Sequence, residues 1–111
     1  MIVHVILFEP RPDLTDAQRQ QVIGDLRTAA GSIPSLRRCR IGRRLRHGAG
    51  YEAAMKVDYQ YAAMMEFDDR AGLEEYLRHP AHHAAGRHFT MSASSALAYD
   101  YEVEEVEDFE G

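Results

Sequence analysis

The chain has 111 residues, 45% hydrophobic and 28% charged, with a net charge of −5; this is enough for one core and too little for two. Such a balance excludes a disordered chain and a polytopic membrane protein. Cys39 is the only cysteine, so no internal disulfide or paired-cysteine metal or redox motif is available, and a reducing cytoplasm is the expected setting.

Residues 2 to 8 alternate Ile2, His4, Ile6 and Phe8 with Val3, Val5 and Leu7, which predicts a strand apolar on both faces. Glu9 and Pro10 end the run early and no Lys or Arg precedes it, so it is read as neither a signal peptide nor a membrane span. Thr15, followed three residues later by Gln18, has the form of a capping box. The helix it opens places Val22, Ile23, Leu26, Ala29 and Ala30 at helical spacing and closes at Gly31 and Pro34.

Residues 36 to 46 have strand length and carry six arginines without an acid, whereas residues 101 to 111 carry six acids without a base. These segments are expected to attract each other weakly. Nucleic-acid binding is not expected, because no aromatic platform interleaves the arginines and the chain as a whole is acidic. A loop with Gly48 and Gly50 leads to a third strand, with Tyr59, Tyr61, Ala63, Met65 and Phe67 on one face and Ala62 and Met64 on the other. Asp69 then caps a helix with Leu73, Tyr76 and Leu77 on one side, and that helix must stop before Pro80. A short second helical piece follows. The last strand sets Leu97, Tyr99, Tyr101 and Val103 on one face.

The order strand, helix, strand, strand, helix, strand is that of an α+β, ferredoxin-like βαββαβ protomer. Its helices cover only one face of a four-stranded sheet, yet the first and third strands are apolar on both. A second copy packed sheet to sheet is the expected cover, giving a homodimer.

Four of the six histidines fall within residues 79 to 88. A metal site is not expected there, since Pro80 breaks any continuous ligand row through Glu75, His79 and His83 and no third ligand is evident. Two readings stay open. In one, Pro80 starts a new helix with His79 at its cap, and the chain reversal brings the Tyr76 hydroxyl near His82 as an acid/base pair. In the other, His79 and His82 satisfy backbone groups and Tyr76 is core. His4, an imidazole in an apolar strand and in phase with Ile6 and Phe8, likewise needs either a partner or a wet cavity.

The stretches "MIVHVILFEPRPDLTDAQ", "IPSLRRCRIGR", "EFDDRAGLEEYLRHPAHH" and "AYDYE" together resemble the stress-responsive A/B barrel, or Dabb, family. The resemblance spans residues 1 to 102 and is most specific at Y-x-x-H-P-x-H; it implies a domain over 1 to 103, with 104 to 111 an acidic tail, and a dimeric α+β barrel. One branch, the plant olivetolic acid cyclase type, closes a linear polyketide thioester by intramolecular aldol condensation without metal or cofactor. By that resemblance His82 is the general base, Tyr76 positions it or stabilises an enolate oxygen, and His4 supports them. Phe8, Tyr61 and His79 are the expected substrate-binding residues. Tyr61 stands where that branch has a third-strand histidine and Asp58 where it has a glycine, so substrate and pocket shape do not carry over. The resemblance therefore implies a cofactor-free, cyclase- or lyase-like enzyme acting on a small polyketide-like or aromatic molecule. The alternative is a non-catalytic, stress-responsive binding or structural protein.

Overall fold

The strands lie in the order β2-β3-β1-β4, every neighbour antiparallel, in a computed structural model that describes residues 1–107. β1 (Ile2–Pro10), β2 (Leu36–Arg43), β3 (Tyr61–Phe67) and β4 (Ala93–Glu102) form the sheet. α1 (Asp16–Gly31) joins β1 to β2, the short α2 (Gly50–Ala54) interrupts the β2–β3 connection, and α3 (Arg70–Arg78) with α4 (Pro80–Ser92) joins β3 to β4. This is the ferredoxin-like α+β arrangement, with its second helix broken in two.

Local chemistry sets the helix starts. Thr15 accepts from the Gln18 backbone N–H at 3.1 Å, while the Gln18 side chain accepts from the Thr15 N–H at 2.8 Å. Asp69 caps α3 by accepting from Gly72 N–H at 2.9 Å. At Pro80 the chain cannot supply an N–H to continue α3, so α3 ends and a new helix begins with Pro in its first turn. The second piece, 13 residues long, is longer than the nine-residue α3 before it, which corrects the expectation of a short segment. α2 was expected as loop; its N-cap, Ala49, offers no side-chain hydrogen bond and none of its residues is buried, so it lacks both signals by which a helix is read from sequence.

One sheet face carries Ile2, His4, Ile6 and Phe8 of β1 beside Ala63, Met65 and Phe67 of β3 and Cys39 and Ile41 of β2. The helices cover it, and Met65 and Phe67 are 0% exposed. The other face carries Val3, Val5 and Leu7 beside Tyr101, Tyr99 and Leu97, with Met64 and Ala62 on the far side of β1. Tyr99 and Tyr101 are each 53% exposed. Arg38 and Arg40 extend this open face at the β2 edge.

Among the described residues the arginine strand and the acidic tail form no ion pair with each other. β2 and β4 are opposite edges of the sheet, and the arginines pair locally instead: Arg37 with Asp68 at 2.8 Å, Arg38 with Glu66 at 3.5 Å, and Arg44 and Arg46 with Asp58. β2 ends at Arg43, short of the expected residue 46, and Leu45 beyond it is exposed. Part of the expected tail, residues 108 to 111, lies outside the described residues. Among the described residues no helix is long and apolar enough to cross a membrane.

Candidate functional site

A cavity of about 420 Å³ opens between the inner sheet face and the helices α1, α3 and α4, within the size range of small-molecule sites. Ile6, Val22, Leu26, Leu77 and Phe89 give it apolar walls, and Ala85, Gly86 and Ala98 leave it room. A Cβ added at Gly86 would meet nothing within 4 Å. Its polar groups are His4, His82, His88, Tyr76, Thr90, Asp25 and Asp100.

Tyr76 ends the apolar side of α3 and is only 4% exposed. The break at Pro80 turns α4 back over it, so the Tyr76 and His82 rings meet with centroids 4.5 Å apart. His4 approaches Tyr76 from β1, ring centroids 5.7 Å apart. These contacts are ring to ring; among the described residues no hydrogen bond joins the phenol to either imidazole. Burial pushes the Tyr76 phenol up to about 12, with Cys39 and Asp100 adding to it, so the group is a neutral donor at physiological pH.

His82 is held in the opposite sense with the same result. Burial lowers its pKa; the Leu77 carbonyl pulls the other way, and His83 and His4 add to the lowering. The buried Nδ1 of His82 has no hydrogen-bond partner among the described residues. A neutral imidazole beside a neutral phenol in an apolar cavity can take a proton from a ligand and steady the oxygen on which charge develops.

His4 is 6% exposed and its Nδ1 lies 2.5 Å from Asp100 Oδ1. The partner that an imidazole in an apolar strand requires is thus supplied by β4, in the register that sets His4 beside Asp100. A second imidazole–carboxylate pair, His88 with Asp25, joins α4 to α1 across the same cavity. Asp25 and Asp100 were not among the sequence candidates. An acid between Val22 and Leu26 on the apolar side of α1, and an acid flanked by tyrosines in β4, were the available signals.

The three residues expected to bind substrate lie elsewhere or at the margin. Phe8 and Tyr61, ring centroids 6.2 Å apart, line a small apolar niche of about 20 Å³ that shares Ile6, Val22, Leu26 and Phe89 with the main cavity. His79 does not line the cavity; its Nδ1 accepts from the Ala81 N–H at 3.0 Å and caps α4. Cys39 is half-buried and its thiol is pushed up by burial, against a small opposing pull from Arg27, the reverse of what a nucleophilic thiol needs. Among the described residues no group of three or more His, Cys, Asp or Glu is placed to hold a metal ion.

The stress responsive A/B barrel domain model matches residues 2–103. The chain belongs to that family. Among solved structures it is similar to a dimeric ferredoxin-like protein of unknown function from Thermobifida fusca, 27% identical with a TM-score of 0.74, the match covering 92% of this chain and 90% of that one. A Dabb family protein with a ferredoxin-like fold from Mesorhizobium loti is 22% identical, TM-score 0.76, over 94% and 97% of the two chains. A hydroxynitrile lyase from Passiflora edulis is 15% identical, TM-score 0.80, over 96% of both. No curated protein matches the chain. The last two likenesses establish the shared fold; the chemistry of this Dabb domain has to be argued from its own residues.

Proposed function

We propose that this Dabb domain is a homodimeric, cofactor-free enzyme of the cyclase or lyase kind, with His82 as general base and Tyr76 as oxyanion donor for a small polyketide-like or aromatic substrate. The observation that carries this reading is the 4.5 Å approach of the Tyr76 and His82 rings inside an apolar cavity, with burial keeping both groups neutral. Neutral His82 removes a proton from a carbon between two carbonyls, and the phenol hydrogen-bonds the enolate oxygen. The enolate carbon then attacks a carbonyl of the same molecule, and protonated His82 returns its proton to the alkoxide, so the base is regenerated and a ring is closed. His4, backed by Asp100, lies close enough to Tyr76 to hold its ring in place. The Passiflora edulis protein of the same fold is named a lyase, so the frame is one on which catalysis occurs.

The dimer rests on the open sheet face, where Met64, Leu97, Tyr99 and Tyr101 are exposed beside half-buried Val3, Val5 and Leu7. Contiguous apolar surface of this kind marks an interaction site. The dimeric Thermobifida fusca relative supports a like pairing here. A non-catalytic binding role draws on one observation: the phenol makes no hydrogen bond to either imidazole among the described residues.

The two roles separate on a synthetic linear poly-β-keto thioester, with ring formation followed by absorbance and product mass. Since general acid/base groups contribute about 10²- to 10⁴-fold, His82→Gln should lose a rate of that order with the circular dichroism of the folded protein retained. A wild-type rate no faster than buffer rejects the enzyme reading, and an unchanged rate in His82→Gln rejects His82 as its base.

A further inference from the structure

We infer that His88, oriented by Asp25, is a second ligand-contacting imidazole at the rim of the cavity, and that the cavity therefore selects uncharged ligands bearing hydrogen-bond donors at both ends. This rests on the small-molecule site proposed above and adds to it a residue and a ligand class.

The two imidazole–carboxylate pairs lie on opposite walls, His4 with Asp100 on the sheet and His88 with Asp25 between the helices. The His4 side chain is 7% exposed and that of its partner Asp100 42%, whereas those of His88 and Asp25 are 40% and 36% exposed, so the two imidazoles differ in depth, His4 at the floor and His88 at the opening. A pair so exposed adds little to stability, so its presence on the cavity wall is not explained by the fold's need for it. In each pair the carboxylate engages Nδ1. In a neutral ring this keeps the proton on Nδ1 and leaves Nε2 as an acceptor. A ligand reaching from floor to rim thus meets acceptor nitrogens at both ends and apolar wall between. Among the described residues no Lys or Arg lines the cavity, while two carboxylates do, so a ligand with a fixed negative charge would lose its hydration there without a countercharge.

The test uses three flat aromatic probes: 2,6-dihydroxynaphthalene, 2-naphthol and 2-naphthoate. Binding to the full chain is followed through the ¹⁵N signals of the histidine rings. The diol should bind about tenfold more tightly than the mono-ol, as one further hydrogen bond provides, and should move the His88 Nε2 signal; the carboxylate should bind most weakly. In His88→Ala the diol's advantage should vanish, and in Asp25→Asn, which keeps shape but not the fixed proton position, it should shrink. Retention of the advantage in His88→Ala, tightest binding by the carboxylate, or failure of every probe to move the His88 signal would overturn the assignment. The outcome is separable from that of the catalytic reading. Loss of ring closure in His82→Gln with the diol preference intact in His88→Ala sinks only the present inference, and the converse pair of results sinks only the base.

Discussion

Burial acts on His82 and Tyr76 toward one end, neutrality. For His82, lowering the pKa makes protonation costlier in the folded chain than in the unfolded one. Its contribution to stability is therefore fully present above the ordinary imidazole value of 6.5 and is lost as pH falls from there through the lowered folded value. The same shift sets the acid limb of turnover: the rate of ring closure should fall with its midpoint below pH 6.5. A rate profile measured from pH 4.5 to 8 checks this, and a limb centred above 6.5 would mean that another group is titrating. Much of this neighbourhood is legible from residues alone, because Pro80 has to end one helix and start the next, and the reversal sets position 76 against position 82. Asp25 and Asp100 are not legible in that way. Each is brought to its histidine by packing between elements far apart in the chain, 63 and 96 residues away, and no local pattern encodes such a pairing.

Caps mark where α1, α3 and α4 start. Asp69 is the cap whose removal is simplest to interpret, since its carboxylate satisfies Gly72 N–H at the surface. Asp69→Ala should lower unfolding free energy by about 1 kcal/mol, measured by urea denaturation, and Asp69→Asn should recover most of it. A loss well above 2 kcal/mol would show that Asp69 does more than cap. Thr15, Asp69 and Pro80 are visible in sequence because a cap is a short-range contact, and the strands are visible because their faces alternate. The β2 end is not visible. Beyond Arg43 the arginines pair with Asp58, an acid from the far side of a loop, and the strand-like spacing of 44 to 46 carries no sign of that pairing.

At the scale of the molecule, the helices shelter one side of the sheet and leave the other to water or to a partner. In the proposed homodimer, Tyr99→Glu places a charge amid Val5, Leu97 and Met64 and should convert a two-chain sedimenting species to a single chain at micromolar concentration, with the far-ultraviolet circular dichroism retained. A wild-type protein that sediments as one chain would remove the sheet-to-sheet pairing altogether. The face was foreseeable from the apolar runs on both sides of β1 and β3, because strand alternation is a property of the residues themselves.

The separation of Arg38 and Arg40 in β2 from Glu104, Glu105 and Glu107, which follow β4 at the opposite edge of the sheet, has a consequence for how two copies can meet. Within one copy Arg38 has only Glu66, at 3.5 Å, and Arg40 has no ion-pair partner among the described residues. Turned about an axis running along the strands, a second copy lays its acidic rim beside the first one's basic rim, twice over; turned about an axis across them, it sets like against like. Charge thereby chooses between two orientations that grease alone would treat as equals, and added salt should loosen that choice before it loosens the contact.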